Sequence, residues 1–119
     1  MSMVSRAGHL PRRKEKKKVK NEGDVKKAVR KVLDSIDKCY YFMPPANGYG
    51  RSGIPDFIGQ VNGYFFGIET KFGNNQPTAN QTREIGRILQ SGGQCWIVRE
   101  GISLTGWENE FRGWAALCS

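Results

Sequence analysis

The sequence predicts an α/β fold in which helices flank one mixed β-sheet. The apolar residues of 22–37 recur at helical spacing, whereas two later apolar runs, 54–61 and 64–72, have the length of strands. The two runs are joined by Asn62-Gly63, the strongest short signal for a hairpin, because both turn positions need a positive φ. A chain of 119 residues with 38% hydrophobic residues has enough apolar side chains for one compact domain.

The first helix is predicted over residues 22–37, with Asn21 as its N-cap. Glu22 precedes Val25 by three residues and therefore extends the inner stripe of this helix. The basic residues are expected on the outer face: Lys26, Lys27, Arg30 and Lys31. A short strand over residues 39–43 then leads to Pro44-Pro45, which ends it.

A second helix is predicted after Pro77, and it ends at Gly92-Gly93. Its inner stripe is expected to contain Gln81, Ile85, Ile88 and Leu89. A compact strand follows over residues 94–99. The remaining segment fits a short amphipathic helix whose aromatic stripe is more often core or dimer contact than a platform for stacking bases: Trp107, Phe111 and Trp114. The element order is therefore helix, three strands, helix, strand and a short C-terminal helix.

Positive charge is concentrated at the N-terminus. The chain carries a net charge of +8, and residues 1–20 account for +7 of it, with eight basic residues and one acidic residue. Like charges at this density repel one another, so 1–20 is expected to be a flexible arm beside a single domain, 21–119. The arm is predicted to bind nucleic-acid phosphates, although a solubility tail is the alternative. Its densest cluster is Arg12, Arg13, Lys14, Lys16, Lys17 and Lys18.

Composition argues against several classes of protein. No run approaches the roughly 18 apolar residues of a membrane span, and the basic N-terminus has no apolar segment typical of a secretion signal. The three cysteines, Cys39, Cys95 and Cys118, are far apart and odd in number, which fits neither a disulfide framework nor a zinc knuckle. We therefore expect a cytoplasmic protein with reduced thiols and no membrane partner.

Two carboxylates are expected to meet across the hairpin. Counting outward from the two-residue turn places Asp56 opposite Glu69. Because side chains alternate along a strand, Lys71 emerges on the same face as Glu69. Opposed like charges destabilise a sheet unless they are compensated, either by Lys71 or by a divalent cation that both carboxylates bind. Oxygen ligands of this kind suit Mg²⁺ or Mn²⁺.

Two helical residues are candidates to complete the cluster. Glu22 lies on the inner stripe of the first helix and could supply a third carboxylate. Gln81, inward on the second helix, could hydrogen-bond Lys71 or an attacking water. The alternative interpretation is a solvated surface cluster of acidic and basic side chains without a ligand.

These residues resemble a known family. Gly53-Ile54-Pro55-Asp56, followed thirteen residues after the Asp by Glu69-Thr70-Lys71, is similar to the PD-(D/E)XK nuclease signature. More narrowly, the chain resembles the VRR-NUC branch, which is common in phages and in a Fanconi-associated repair nuclease. That pattern adds a Glu at the start of the first helix, a Gln early in the second, and a hydrophobic strand with Arg: here Glu22, Gln81 and Arg99. The resemblance covers about residues 21–100.

The resemblance implies a restriction-endonuclease-like core and a metal site. It implies that Asp56, Glu69 and Glu22 bind Mg²⁺ or Mn²⁺, with the carbonyl of Thr70 as a further ligand. Lys71 would position or help deprotonate water and stabilise the pentavalent phosphate, and Gln81 would support it. Junction-resolving relatives further imply a homodimer.

The expected function is a metal-dependent DNA endonuclease acting on branched, junction or flap DNA in phage recombination, repair or replication. Before the site, the Gly-rich loop 47–53 carries Arg51, which is expected to contact a phosphate, although a plain connector is equally consistent. A non-catalytic nucleic-acid-binding accessory protein of the same fold is the main alternative. An RNA-directed nuclease of this fold is a third.

Overall fold

The structure is a computed structural model that describes residues 19–45 and 50–119. The basic cluster of the arm, residues 12–18, lies outside the described residues. Within them the elements follow the predicted order, and the predicted α/β fold with a mixed sheet flanked by helices is confirmed. The elements are α1 (Glu22–Asp34), β1 (Cys39–Phe42), β2 (Phe57–Val61), β3 (Tyr64–Thr70), α2 (Ala79–Gln90), β4 (Gln94–Val98) and α3 (Ile102–Leu117).

The four strands lie side by side in chain order. β1 and β2 are antiparallel, as are β2 and β3, whereas β3 and β4 are parallel and are connected through α2. The hairpin has the predicted register, from Val61 opposite Tyr64 to Phe57 opposite Ile68. Its turn residues adopt positive φ, with 51° at Asn62 and 91° at Gly63. The two-residue turn is therefore confirmed.

The main core lies between one face of the sheet and helices α1 and α3. Val25 and Val29 of α1 are fully buried, as is Phe111 of α3. Phe111 meets Phe66 of β3 edge-on, with ring centroids 5.1 Å apart. α2 covers the other face, where a Cβ at Gly67 would lie 3.1 Å from Ile88 Cδ1. The sheet thus has helices on both faces.

Helix α3 is longer than predicted. It spans 16 residues instead of forming a short helix, because apolar side chains continue to reach the core from Leu104 to Cys118. The prediction that its aromatic stripe belongs to the core is confirmed, since Trp107 and Phe111 are buried. Trp114 is half-buried and packs against the same cluster.

Several predicted boundaries and faces need correction. α1 ends at Asp34, three residues early, with Ser35 as its C-cap, and the φ of +62° at Lys38, directly after the predicted end, is incompatible with a helix that continues through that residue. β2 begins at Phe57 rather than at residue 54, since Pro55 has no N–H to donate to a ladder. On α2, Leu89 is exposed, and the buried residue of this helix is Glu84.

The three cysteines, Cys39, Cys95 and Cys118, all lie among the described residues and are free thiols there. Among the helices of residues 19–45 and 50–119, none combines the length and apolarity needed to cross a membrane.

Candidate functional site

The predicted site residues converge where β2 begins and β3 ends. The hairpin register carries Asp56 to the position opposite Glu69, one step before the first residue of β2. Asp56 does not simply face Glu69, however: its Oδ2 accepts hydrogen bonds from the Thr70 N–H at 2.9 Å and from Thr70 Oγ1 at 2.6 Å. These two bonds fix the Asp56 carboxylate against the end of β3, and Oδ1 is directed elsewhere.

Glu69 is a buried carboxylate with an incomplete set of partners. Its side chain is 2% exposed, and its Oε2 lies 3.4 Å from Lys71 Nζ. Its Oε1 is buried and has no hydrogen-bond partner among the described residues. Burial, followed by the negative charge of Asp56, raises the pKa of Glu69 to about 7, although Lys71 opposes the rise. The charge of Glu22 also raises this pKa, so all three carboxylates share one electrostatic environment.

Lys71 is held in place by both its backbone and its side chain. Its N–H donates to Val98 O at 2.9 Å, which extends the pairing of β3 with β4 by one residue. The residue is only 8% exposed, and Glu69 is its ion-pair partner. The predicted placement of Lys71 beside Glu69 is confirmed. A buried ammonium paired in this way is a fixed positive charge beside the carboxylates.

Helix α1 brings Glu22 and an unexpected lysine to the site. Lys26 Nζ lies 3.7 Å from Asp56 Oδ1 and 3.9 Å from Glu22 Oε2. The prediction that Lys26 faces outward is therefore wrong. Residues four apart share a helix face, so the inward placement of Glu22 already implied an inward Lys26. That i, i+4 relation was the sequence signal that could have identified this residue.

Gln81 has a local structural role. Its Oε1 accepts from the Thr78 N–H at 2.9 Å, while Thr78 Oγ1 accepts from the Gln81 N–H at 3.1 Å. The two residues form a capping box at the start of α2, with the typical Thr-x-x-Gln spacing. In this arrangement the Gln81 carboxamide oxygen accepts from the helix cap and not from Lys71. The expected support of Lys71 by Gln81 stays a prediction.

The segment before Asp56 is clamped onto helix α2. Arg51 Nε lies 3.1 Å from Oε2 of Glu84, a carboxylate that is 5% exposed. One turn earlier on α2, Asn80 Nδ2 donates to Ser52 Oγ at 2.7 Å. That Arg51 contacts a nucleic-acid phosphate stays a prediction: its Nε is paired with Glu84, while its side chain is 60% exposed. Glu84 was not among the predicted site residues, although its place three residues after Gln81 puts it on the inner stripe.

Gly53 permits the close approach that this clamp requires. Its φ is +86°, and a Cβ there would lie 2.5 Å from the backbone C and O of Asn80. Gly53→Ala is therefore expected to lower the free energy of unfolding by at least about 2 kcal/mol, through backbone strain and steric overlap together.

The matched control for that variant is Gly50→Ala. Gly50 has a φ of +83°, but a Cβ there meets nothing within 4 Å among the described residues. Both variants have backbone strain, but only Gly53→Ala also has steric overlap. Comparing their free energies of unfolding, measured by chemical denaturation, separates the two effects. Equal loss of stability would contradict the importance of the close approach.

Arg99 ties together two loops beside the site. Its guanidinium donates to Gly73 O at 3.1 Å and to Gln76 Oε1 at 3.4 Å. The neighbouring Glu100 accepts from the Gly73 N–H at 3.2 Å. These contacts anchor the loop that follows Lys71 to the turn before α3, which gives Arg99 a structural role in this state of the protein.

The donor set fits a hard divalent cation in part. Among the described residues, Glu69 Oε1 is buried without a hydrogen-bond partner, and the ion-pair partner of Asp56 Oδ1 is Lys26 at 3.7 Å, so two carboxylate oxygens are available to a cation. Glu22, the predicted third ligand, is paired with Lys26 instead. In the part of the chain that the structure describes, no three Asp, Glu, His or Cys residues are grouped closely enough to hold a metal by themselves.

The chain matches no protein-family model and no curated protein. The basis for assigning a function is therefore the set of side chains around Asp56 and Glu69.

Proposed function

We propose that the protein is a Mg²⁺- or Mn²⁺-dependent DNA endonuclease whose site is built on Asp56, Glu69 and Lys71. The observation that carries the proposal is Glu69, a buried carboxylate with one oxygen that has no partner in 19–45 or 50–119, adjacent to a second carboxylate and a buried lysine. Such an arrangement is unfavourable for folding, because an unpaired buried polar atom costs about 1–3 kcal/mol. Clusters of this kind are found at functional sites.

The side chains are suited to the hydrolysis of a phosphodiester. A cation bound by Asp56 and Glu69 would supply a water of lowered pKa and a polarised phosphate oxygen. Thr70 holds Asp56 Oδ2, so Oδ1 remains the ligand oxygen of that carboxylate. Lys71 provides a fixed positive charge that favours the extra negative charge on phosphate in the transition state. Because Lys71 is positioned by Glu69, the two residues act as one unit.

The finer assignments follow from the resemblance to VRR-NUC nucleases. They comprise a restriction-endonuclease-like core, Glu22 and the Thr70 carbonyl as further metal ligands, and Gln81 as a supporting residue. They also comprise a homodimer that acts on branched or structured DNA. These assignments are supported by the order and spacing of the motifs in the sequence. A cytoplasmic location is proposed separately, from the odd number and wide spacing of the cysteines.

A non-catalytic nucleic-acid-binding protein of the same fold is the second candidate function. Its support is that each lysine of the site already neutralises a carboxylate, Lys26 at Asp56 and Lys71 at Glu69. A cluster in which each carboxylate is paired with a lysine can serve the structure of the protein without a bound cation.

Incubation of the full chain with defined DNA substrates tests the proposal. Linear, nicked, flapped and four-way DNA, with single-stranded RNA in parallel, are incubated with Mg²⁺ or with EDTA. We expect cleavage of branched DNA in Mg²⁺ and none in EDTA. Binding of the same DNA without cleavage in either condition would favour the non-catalytic alternative, and cleavage of RNA alone would redirect the assignment to an RNA nuclease.

The N-terminal arm is expected to supply salt-dependent affinity for DNA. Its boundary is refined from residue 20 to residue 18, because Val19 packs against the core and the Lys20 N–H donates to Asp24 Oδ2. Replacing the six basic residues of 12–18 with Gln keeps the length of the arm and removes six positive charges. The slope of log K against log salt concentration should then fall in magnitude by as much as about 5. Equal slopes, measured by fluorescence anisotropy, would contradict this role.

A further inference from the structure

Lys26 occupies a position that none of the expected roles explains. Its ammonium lies between two carboxylates of the site, 3.7 Å from Asp56 Oδ1 and 3.9 Å from Glu22 Oε2. The neighbouring carboxylate, Glu69, is buried and retains an unpartnered Oε1. A positive charge is thus already present where these acidic side chains come together.

The two lysines of the site are held very differently. Lys71 is 8% exposed, and its backbone is part of the sheet pairing. The Lys26 side chain is 33% exposed, and its distances of 3.7 and 3.9 Å to carboxylate oxygens are longer than the 3.4 Å between Lys71 Nζ and Glu69 Oε2. Lys26 also reaches the site through a flexible four-carbon stem. Its ammonium can therefore move into solvent without disturbing the sheet.

We propose that Lys26 is an exchangeable counter-ion: it neutralises Asp56 and Glu22 when the site holds no divalent cation, and it withdraws when Mg²⁺ or Mn²⁺ binds. This inference rests on the proposed function, because it concerns the same site. A divalent cation bound to Asp56 Oδ1 and the Lys26 ammonium compete for one oxygen and repel each other. Lys26 thereby sets the concentration of cation at which the site fills.

The exchange has two measurable consequences. Removing Lys26 removes the competitor, so Lys26→Met should bind Mn²⁺ more tightly than the wild type, by roughly five- to tenfold for a partly exposed pair. Without a cation, the same variant leaves Asp56 and Glu22 without their counter-ion. Its unfolding midpoint in EDTA should therefore be lower than that of the wild type, and saturating Mn²⁺ should remove the difference.

Lys27→Met is the matched control. Lys27 is the next residue of α1 and is exposed, so the variant has the same change in net charge and helix propensity away from the site. Mn²⁺ affinity is measured by isothermal titration calorimetry on the full chain without DNA, and unfolding is measured in EDTA and in Mn²⁺. If Lys26 exchanges with the cation, Lys26→Met should bind Mn²⁺ more tightly than the wild type, whereas Lys27→Met should bind it as the wild type does.

Three outcomes distinguish this inference from the proposed function. Tighter binding by Lys26→Met than by Lys27→Met supports the exchange. Equal or weaker binding, with Asp56→Asn still impairing Mn²⁺ binding, overturns the exchange but leaves the metal site in place. Absence of Mn²⁺ binding by the wild type, or undiminished binding by Asp56→Asn, overturns the metal site and the exchange together.

Discussion

Asp56→Asn is expected to abolish Mg²⁺-dependent cleavage of DNA while preserving the fold and the binding of DNA. The amide oxygen of Asn can still accept the hydrogen bonds from the Thr70 N–H and Oγ1, which keeps the end of β3 in place. What is lost is the negative charge that holds a cation. Since that cation contributes several kcal/mol to transition-state stabilisation, the cleavage rate should fall by roughly a thousandfold or more.

The matched control for this variant is Asp37→Asn. Asp37 is exposed and lies after the end of α1, so its replacement makes the same change in net charge outside the site. Cleavage and DNA binding are measured for both variants in Mg²⁺, and circular dichroism reports on the fold. Undiminished cleavage by folded Asp56→Asn would exclude this carboxylate from catalysis.

Glu69→Gln is expected to abolish cleavage and to make the stability of the protein less sensitive to pH. A Glu has a pKa near 4.5 in the absence of perturbation, whereas burial and Asp56 raise that of Glu69 to about 7. Between these values the folded protein binds a proton that the unfolded chain has lost, so stability falls as the pH rises from about 4.5 to about 7. The penalty is complete above pH 7 and amounts to about 3 kcal/mol at most.

Gln cannot ionise and therefore removes this penalty. When measured in EDTA, the free energy of unfolding of Glu69→Gln minus that of the wild type should increase between pH 5 and pH 8, because only the wild type loses stability over this range. The change of this difference with pH is the decisive quantity, because replacing the carboxyl group beside Lys71 also affects stability in a way that does not depend on pH. Glu108→Gln, which replaces a half-exposed carboxylate that is paired with Arg112 away from the site, is the control. Parallel pH profiles for Glu69→Gln and wild type would contradict the raised pKa.

The hairpin could be predicted from the sequence because its determinants are local. Asn62 and Gly63 specify the turn, and the turn fixes the register that brings Asp56 opposite Glu69. Alternation along β3 then places Lys71 beside Glu69. None of these relations depends on how the helices pack. This part of the candidate site could therefore be predicted from the sequence.

The inward faces of Lys26 and Glu84 follow from helical spacing, but the partners of these residues depend on tertiary packing. The orientation of α1 decides that Lys26 reaches Asp56, and the docking of residues 50–53 on α2 decides that Arg51 meets Glu84. Charged side chains are usually assigned to solvent on hydropathy alone. Here Glu84 and Lys26 depart from that pattern because each has an oppositely charged partner from another part of the chain.

Burial of Glu69 has a cost in stability that a purely structural cluster would avoid. Apolar residues can often replace a buried ion pair without loss of stability. The presence of such a pair therefore does not indicate that it is needed for folding. The unpartnered Oε1 adds to that cost. A function at this position explains both features, and a bound cation would satisfy the missing contact.

The most direct test of a cation site at Asp56 and Glu69 is anomalous X-ray diffraction from crystals of the full chain soaked in Mn²⁺. We expect an anomalous difference peak within binding distance of Asp56 Oδ1 and Glu69 Oε1, with the Lys26 ammonium displaced from Asp56. Mn²⁺ bound only at other carboxylates, or no peak at this position at saturating Mn²⁺, would contradict it.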